Sequence, residues 1–433
     1  MITIKMISIK IVKERLTGNK LYKDSFWAVF GNGTGNALLL LSGIIIARLL
    51  GKDLYGEYGV VKTTMFHIAA FSTFGLGYTS TRYISQYTKE NPSCLRAITK
   101  SSLKISFLSS FGLSIILIIF AEQLAAFVNH PPLAMPFRFL GVIIICRALS
   151  TTCSGIISGH KNFKQQSINN VTSGVVMIIL APTLTFFYGL NGSLAALLCS
   201  QLSLALLNLK LIYDINKNLL SGNGRKFTKE LFNFSIPVAM QEFTYTLSTW
   251  GGTLLLAKYA SLGEVGIYTA ALQWNAIITF IPGLLSNVVL SYLSGTQGAE
   301  HYNMMKKVLV INLTCISIPL IIVLICSSFI VSFYGETFIG MRSVLNICVF
   351  GSAISVVTRV FQNDLISQGK NWLLFAARSS RDILYLLSLF FILQFTKGIN
   401  AANNCAILGI VIGILFLTTI YLMSRIKKQQ VST

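Results

Sequence analysis

Few ionisable side chains interrupt the apolar runs of this chain, and those few are the residues that could do chemistry. Arg147 stands near the middle of the run 134–157, Arg359 lies in the run 342–366, and Arg378, Arg381 and Asp382 lie in the run 372–395. A guanidinium is a planar fork of donors that grips two oxygens of a carboxylate or phosphate at once. A charge at the centre of a bilayer costs at least ~2.5 kcal/mol on insertion scales, so it turns towards a partner or a wet cavity. Arg147, Arg359 and Arg381 are therefore candidate cavity cations for an anionic ligand. The plainer alternatives are a buried ion pair for Arg147 and snorkelling to the interface for Arg359 and Arg381. Arg378 and Asp382 are four apart on one helical face and are expected to form a structural pair. Glu242, well inside the run 233–257, is a candidate for ion coupling through proton exchange, or equally the counter-ion of an arginine.

Uncharged polar residues supply a second set. Asn32 and Asn36 share a face at i and i+4, as do Glu242 and Thr246. Gln241, Tyr245, Thr249 and Trp250 extend one polar and aromatic surface, and Tyr268, Gln273, Trp274 and Asn275 another. Such surfaces suit hydrogen-bonding ligands with ring faces; the alternative is hydrogen bonding between helices, worth ~0.6 kcal/mol on average. Either way they should point inward. Other signals are set aside. Gly31-Asn32-Gly33-Thr34-Gly35 has no preceding strand and reads as close helix packing, and no Gly-x-x-x-x-Gly-Lys-[Ser/Thr] motif is present, which argues against nucleotide hydrolysis. His67, His130, His160 and His301 are scattered, and the eight cysteines show no Cys-x-x-Cys pair. No metal, cofactor or catalytic constellation is expected.

The elements that position these residues follow from composition. The 433 residues are 53% hydrophobic and 11% charged, with a mean hydropathy of +0.68; a soluble domain carries about 25% charged residues. A net charge of +21 would suit nucleic acid only on a soluble basic domain, and none is visible, so no nucleic-acid partner is expected. A spanning helix needs about 20 mostly apolar residues. Cutting at charged, Gly/Asn and Pro punctuation gives spans at 25–50, 60–85, 101–120, 134–157, 168–188, 191–212, 233–257, 266–292, 308–330, 342–366, 372–395 and 401–424. Most Lys and Arg fall on one set of connections and both tails, whereas Ala121–Leu133 and Tyr188–Gly192 carry almost none. By the positive-inside bias, both termini are cytoplasmic and the basic-poor connections periplasmic. The basic start precedes a long apolar run without a small-residue cleavage signature, which reads as a retained first helix.

A repeat adds symmetry. Ala47, Arg48, Gly56 and Tyr58 recur as Ala257, Lys258, Gly266 and Tyr268, a shift of 210 positions, and Ser25, Asn32 and Asn36 fall on Ser235, Glu242 and Thr246. Six spans separate the copies, so the halves enter the membrane from the same side and are related by an axis along its normal. The expected fold is an all-α integral membrane protein of twelve transmembrane helices in two six-helix lobes about a central cavity. Its parts are a cytoplasmic tail 1–24, an N-lobe 25–212, a cytoplasmic linker 213–232, a C-lobe 233–424 and a cytoplasmic tail 425–433. Gly56 and Gly266 are expected to permit the periplasmic turn of each lobe, and Tyr58 and Tyr268 to anchor the next helix at the interface.

With Phe74-Gly75-Leu76-Gly77, Thr81-Arg82-Tyr83-Ile84, Gly155 to Lys164 and Gly369-Lys370-Asn371-Trp372, the repeat resembles the Wzx-type O-antigen and polysaccharide-export flippases of the multidrug/oligosaccharidyl-lipid/polysaccharide exporter superfamily. The resemblance implies alternating access and movement of an undecaprenyl-diphosphate-linked oligosaccharide from the cytoplasmic to the periplasmic leaflet of a bacterial inner membrane. It implies as partners the lipid-linked oligosaccharide, membrane lipids, and the polymerase and chain-length regulator of a glycan pathway. Under it the cavity arginines would meet the diphosphate, and the amide and aromatic faces the sugars. Competing readings are a multidrug exporter of the same superfamily, which for cationic drugs calls for an acidic cavity, and a membrane-embedded glycan polymerase or ligase, which calls for reactive residues and a large periplasmic loop.

Overall fold

A computed structural model describes residues 20–217, 219, 227–283, 293 and 298–425. The described chain is almost wholly helical. It begins with α1 (Lys20–Ser72), α2 (Leu76–Glu90), α3 (Leu95–Ile119), the short α4 (Ala121–Phe127), α5 (Ala134–Gly159) and α6 (Phe163–Lys217). It continues with α7 (Thr228–Tyr259), α8 (Leu262–Ile278), α9 (Gly298–Ile325), the short α10 (Ser327–Ser332), α11 (Met341–Ser367), α12 (Asn371–Phe395) and α13 (Ala401–Arg425). Among the described residues, six helical stretches are long and apolar enough to cross a bilayer: Pro92–Ile119, Pro131–Gly159, Phe163–Lys217, Glu300–Ile325, Met341–Ser367 and Ala401–Ser424. Large apolar side chains such as Phe111, Ile119, Ile318 and Ile325 stand exposed along them. In water such a surface would be a large aggregation-prone patch; in hydrocarbon it costs nothing. The chain is a multi-pass membrane protein.

Two of the helices double back at a single residue. α1 kinks at Gly51 (φ 72°, ψ 172°) and α6 at Gly189 (φ 55°, ψ −131°), conformations open to glycine and costly for a residue with a Cβ. The connection expected between the first two spans thus shrinks to Gly51, and Lys52 already begins the second half of α1.

The helices sort into two bundles. In the first, α1 packs most extensively on α6, and α5 is clasped by α2, α3 and α6; in the second, α11 packs on α8, α9 and α13, and α12 on α7 and α13. Small polar residues line the first bundle's seams, with hydrogen bonds Ser80–Ser102 (2.9 Å), Thr152–Ser106 (2.8 Å) and Ser173–Ser200 (3.0 Å). Such residues let helix backbones approach and satisfy each other where no water can.

The bundles join mainly where α1 crosses α8, and here the repeat finds its physical role. A Cβ on Gly56 would lie 1.8 Å from the Leu262 carbonyl oxygen, and one on Gly266 would lie 2.1 Å from the Lys52 carbonyl oxygen. Lys52 and Leu262 are themselves 210 positions apart, so the contact is reciprocal, the signature of a two-fold relation. Gly56 and Gly266 therefore do not make turns; they let the two copies touch backbone to backbone. Tyr58 is not an interfacial anchor either, since it is 1% exposed and packs with Tyr55 (ring centroids 5.8 Å apart). Tyr55 also meets Phe338 of the second bundle (5.9 Å). Further contacts close the basic-poor side: the Asn129 amide donates to the Lys258 carbonyl (3.1 Å), and the Lys258 ammonium lies 4.2 Å over the Phe127 ring.

Candidate functional site

A polar cavity of about 270 Å3 lies inside the first bundle. The first half of α1 contributes Asn32 and Asn36, α5 contributes Arg147, Ser150, Thr151 and Ser154, and α6 contributes Gln166, Asn170 and Gln201. Its position follows from glycine. A Cβ on Gly31 would fall 2.1 Å from Cβ of Ser167, so the α1 backbone packs here directly against the small Ser167 side chain of α6. That contact brings Asn32 within reach of Asn170, whose amide donates to the Asn32 Oδ1 at 2.8 Å. Behind the cavity Asn169 donates to Asn208 (2.9 Å), fixing the two halves of α6 against each other.

Arg147 is the sole charge among the lining residues. Its Nη1 donates to the Gln201 Oε1 at 3.4 Å, and its guanidinium carbon lies 4.8 Å from the centroid of the Phe66 ring. Among the described residues no carboxylate comes within ion-pairing distance of it. A long hydrogen bond and a cation–π contact worth about 0.5–2 kcal/mol orient the group without neutralising it. The cavity can thus hold an anion whose remaining oxygens meet amides and hydroxyls.

A residue that the spacing of charges in the sequence did not single out joins this set. Lys62, within the expected span 60–85, is half-buried in the first bundle with its ammonium 5.5 Å from the Tyr58 ring. Tyr58, Lys62 and Phe66 follow one another at i, i+4 and i+8 on α1, and Arg147 rests on Phe66. Aromatic and cationic groups therefore alternate along this face from the two-fold contact to the cavity. The signal was present in the sequence as a lysine flanked by aromatics at helical spacing.

The other candidate residues are dispersed. Arg381 turns to its neighbour Asp382, with Nη2 and Nε at 2.6 and 2.9 Å from Oδ1, and stacks over Phe416 (4.7 Å). The close ion pair of Asp382 is therefore with Arg381, while Arg378 reaches across to Gln362 Oε1 (2.5 Å). The expected partners Arg378 and Asp382 thus interact through charge across a longer distance, with the Arg378 fork drawn to Gln362 of α11. Arg359 lies beside Gly283, whose Cβ would fall 3.0 Å from its Nη1. Gln273 bonds to the Tyr55 hydroxyl, Trp274 donates to the Tyr334 hydroxyl (3.0 Å) and Asn275 to the Cys348 carbonyl (3.2 Å). These three tie helices together, as does Trp250, which donates across the bundles to Thr64 (3.0 Å). Tyr245 is 53% exposed and meets His67 edge-on. The side chains of Gln241 and Glu242 lie outside the described residues. A larger cavity of about 460 Å3 between the bundles, lined by Phe71, Phe120, Phe127, Phe243 and Trp250 among others, is mainly apolar, with His67, Gln123 and Thr246 as its polar lining residues.

The chain is 21% identical over 401 residues to a putative O-antigen transporter of Shigella flexneri, covering 89% of this chain and 94% of the relative. Its fold matches an inward-facing multidrug resistance MATE family transporter of the MOP superfamily with a TM-score of 0.79, at 12% identity, over 91% of this chain and 96% of that one. It also matches the lipid II flippase MurJ in an inward closed conformation with a TM-score of 0.68, at 16% identity, over 89% of this chain and 85% of that one. The two-bundle helical architecture is thus that of known transporters. Residues 21–297, more than half of the chain, match the family described as Polysaccharide biosynthesis protein, and the chain belongs to that family.

Proposed function

We propose that this protein is a secondary transporter that carries an undecaprenyl-diphosphate-linked oligosaccharide, an O-antigen or capsule repeat unit, from the cytoplasmic to the periplasmic leaflet by alternating access. In this reading it resides in a bacterial inner membrane with twelve spans, lobes at 25–212 and 233–424, and both tails in the cytoplasm. The observation that carries the proposal is Arg147, without a carboxylate partner among the described residues, in a polar cavity whose described lining residues include no acid. The relatives support the same class of cargo: one is named for O-antigen transport and one fold neighbour for flipping lipid II.

The chemistry required is recognition without bond breaking. Arg147 would take two diphosphate oxygens through its fork, and Lys62 would offer a second positive charge farther along α1. Asn32, Asn36, Asn170 and Gln201 would replace water around sugar hydroxyls. Both cations are partly buried, so part of their dehydration precedes the arrival of the anion. A multidrug exporter for cationic compounds would need an acidic cavity, and this one has the opposite sign. A polymerase or ligase would call for a nucleophile activated by a general base, and beside the hydroxyls of Ser150, Thr151 and Ser154 the described lining residues include no carboxylate or imidazole.

The test is genetic and chemical. In a host deleted for this gene, the undecaprenyl-linked repeat unit should accumulate on the cytoplasmic leaflet while surface glycan disappears. Losing a charge-assisted hydrogen bond corresponds to about ten- to a hundredfold in binding, so Arg147→Ala should abolish complementation and Arg147→Lys should retain part of it. Single-unit glycan at the surface of the deletion strain would instead indicate a polymerase, and full activity of Arg147→Ala at normal amounts would remove Arg147 from the binding role.

A further inference from the structure

At the basic-rich end of the second bundle, His301 of α9 is held between two oxygen acceptors. Its Nδ1 lies 3.1 Å from the Leu293 carbonyl oxygen, and its Nε2 lies 2.6 Å from the Asp364 Oδ1 of α11. Asp364 is buried and His301 largely so, with side chains 4% and 13% exposed. A neutral imidazole has one N–H and one lone pair. With an ionised Asp364, whichever tautomer it adopted, one ring nitrogen would point a lone pair at an oxygen. Both contacts are attractive only when the pair carries one more proton, either as imidazolium and carboxylate or as imidazole and carboxylic acid. A third contact favours the first form: the Gln368 amide donates to the same Asp364 Oδ1 at 2.8 Å, so this oxygen receives two donors, as a carboxylate does.

The pair is not sealed. It borders a pocket of about 210 Å3 whose other walls include Tyr302 and Lys306 of α9 and Tyr421 of α13. Among the described residues these are the titratable groups that line it, with Gln368 beside the pair on α11. The Lys306 ammonium is turned to the Tyr302 ring, 4.6 Å from its centroid. Water in the pocket could therefore exchange a proton with the pair without crossing hydrocarbon.

We propose that His301 and Asp364 form a proton-binding site of the second bundle, and that the proton they exchange with the pocket is coupled to transport. When the imidazolium gives a proton to water, the neutral ring keeps only one of its two N–H contacts and loses the charge that draws it to Asp364, so the tie between α9 and α11 weakens. α11 also packs on α8, the helix that crosses α1 at the two-fold contact, so this release acts on an element shared with the bundle interface. The coupling rests on the transport reading; the proton site does not.

Two measurements separate the claims. In full-length protein reconstituted in nanodiscs with 15N-labelled histidine, the His301 signals, identified by their loss in His301→Gln, should show both ring nitrogens protonated at pH 7. Asp364→Asn should return the ring to a single-proton tautomer at that pH. A neutral His301 in the wild-type protein at pH 7, or a ring indifferent to Asp364→Asn, overturns the proton site. For coupling, His301→Arg keeps the positive charge but cannot release its proton. It should reduce glycan export by about tenfold or more at wild-type membrane abundance and thermal stability, with His301→Lys as the variant to use if the larger side chain lowers abundance. Wild-type export from either cation refutes coupling through this pair. Failure of the wild-type gene itself to restore export would refute the transport reading, with the labelled-histidine result standing.

Discussion

Substituting Gly56 by alanine should force the two bundles apart where the repeat copies touch. The new Cβ would sit 1.8 Å from the Leu262 carbonyl oxygen, whereas carbon and carbonyl oxygen rest no closer than about 3.3 Å. Both partners are backbone, so no side-chain rotation relieves the clash, and α1 and α8 must separate by about 1.5 Å, the difference of those two distances. Overpacking of this kind costs about 1–3 kcal/mol, which corresponds to a lowered melting temperature of about 2–4 °C per kcal/mol in a domain of moderate size. Gly266→Ala meets the Lys52 carbonyl at 2.1 Å and should behave alike. The double variant should cost less than the sum, since one separation relieves both clashes. If the crossing is tight in only one transport conformation, the same energy should deplete that state about 5- to 150-fold, seen as a longer distance between spin labels placed on the basic-poor ends of α1 and α8. Thermal unfolding of detergent-solubilised protein is the primary assay. Gly112→Ala is the control, because nothing lies within 4 Å of its added Cβ. A Gly56→Ala protein that melts with Gly112→Ala and wild type, with unchanged label distances, would refute the backbone contact between the copies.

Other expectations follow from the same packing. Lys62→Ala should lower glycan export more than it lowers thermal stability, and Lys62→Arg should restore export; equal loss in both variants would assign Lys62 to packing against Tyr58. A double-mutant cycle on Arg381 and Asp382 should give a coupling energy near 1 kcal/mol, discounted because Arg381 is a quarter exposed, and larger than the cycle on Arg378 and Asp382; the reverse order would restore the i, i+4 pair. Trp250→Phe removes the hydrogen bond to Thr64 and should destabilise the protein by about 0.6 kcal/mol without altering glycan export at saturating expression, which unfolding and complementation together would check.

Much of this was legible in the residues alone. Apolar runs of spanning length determine that the chain is a helical membrane protein, because in hydrocarbon a helix is the structure in which one continuous apolar segment satisfies its own backbone hydrogen bonds. The shift of 210 positions discloses the duplication, and one arginine in the middle of an apolar run marks Arg147 as a residue that needs a wet or charged neighbour. What a sequence cannot encode locally is which helix lies beside which. Only the crossing of α1 and α8 turns Gly56 and Gly266 from supposed turns into contact points, and gives the turn to Gly51. Only the packing of α9 on α11 sets His301, one of four scattered histidines, against Asp364, and only the stacking of α5 over the second half of α1 lines up Lys62, Phe66 and Arg147. Side-chain partners in a bundle are chosen by interhelical distance and rotation. Those depend on the packing of the whole molecule, whereas periodicity reports only the face on which a residue stands.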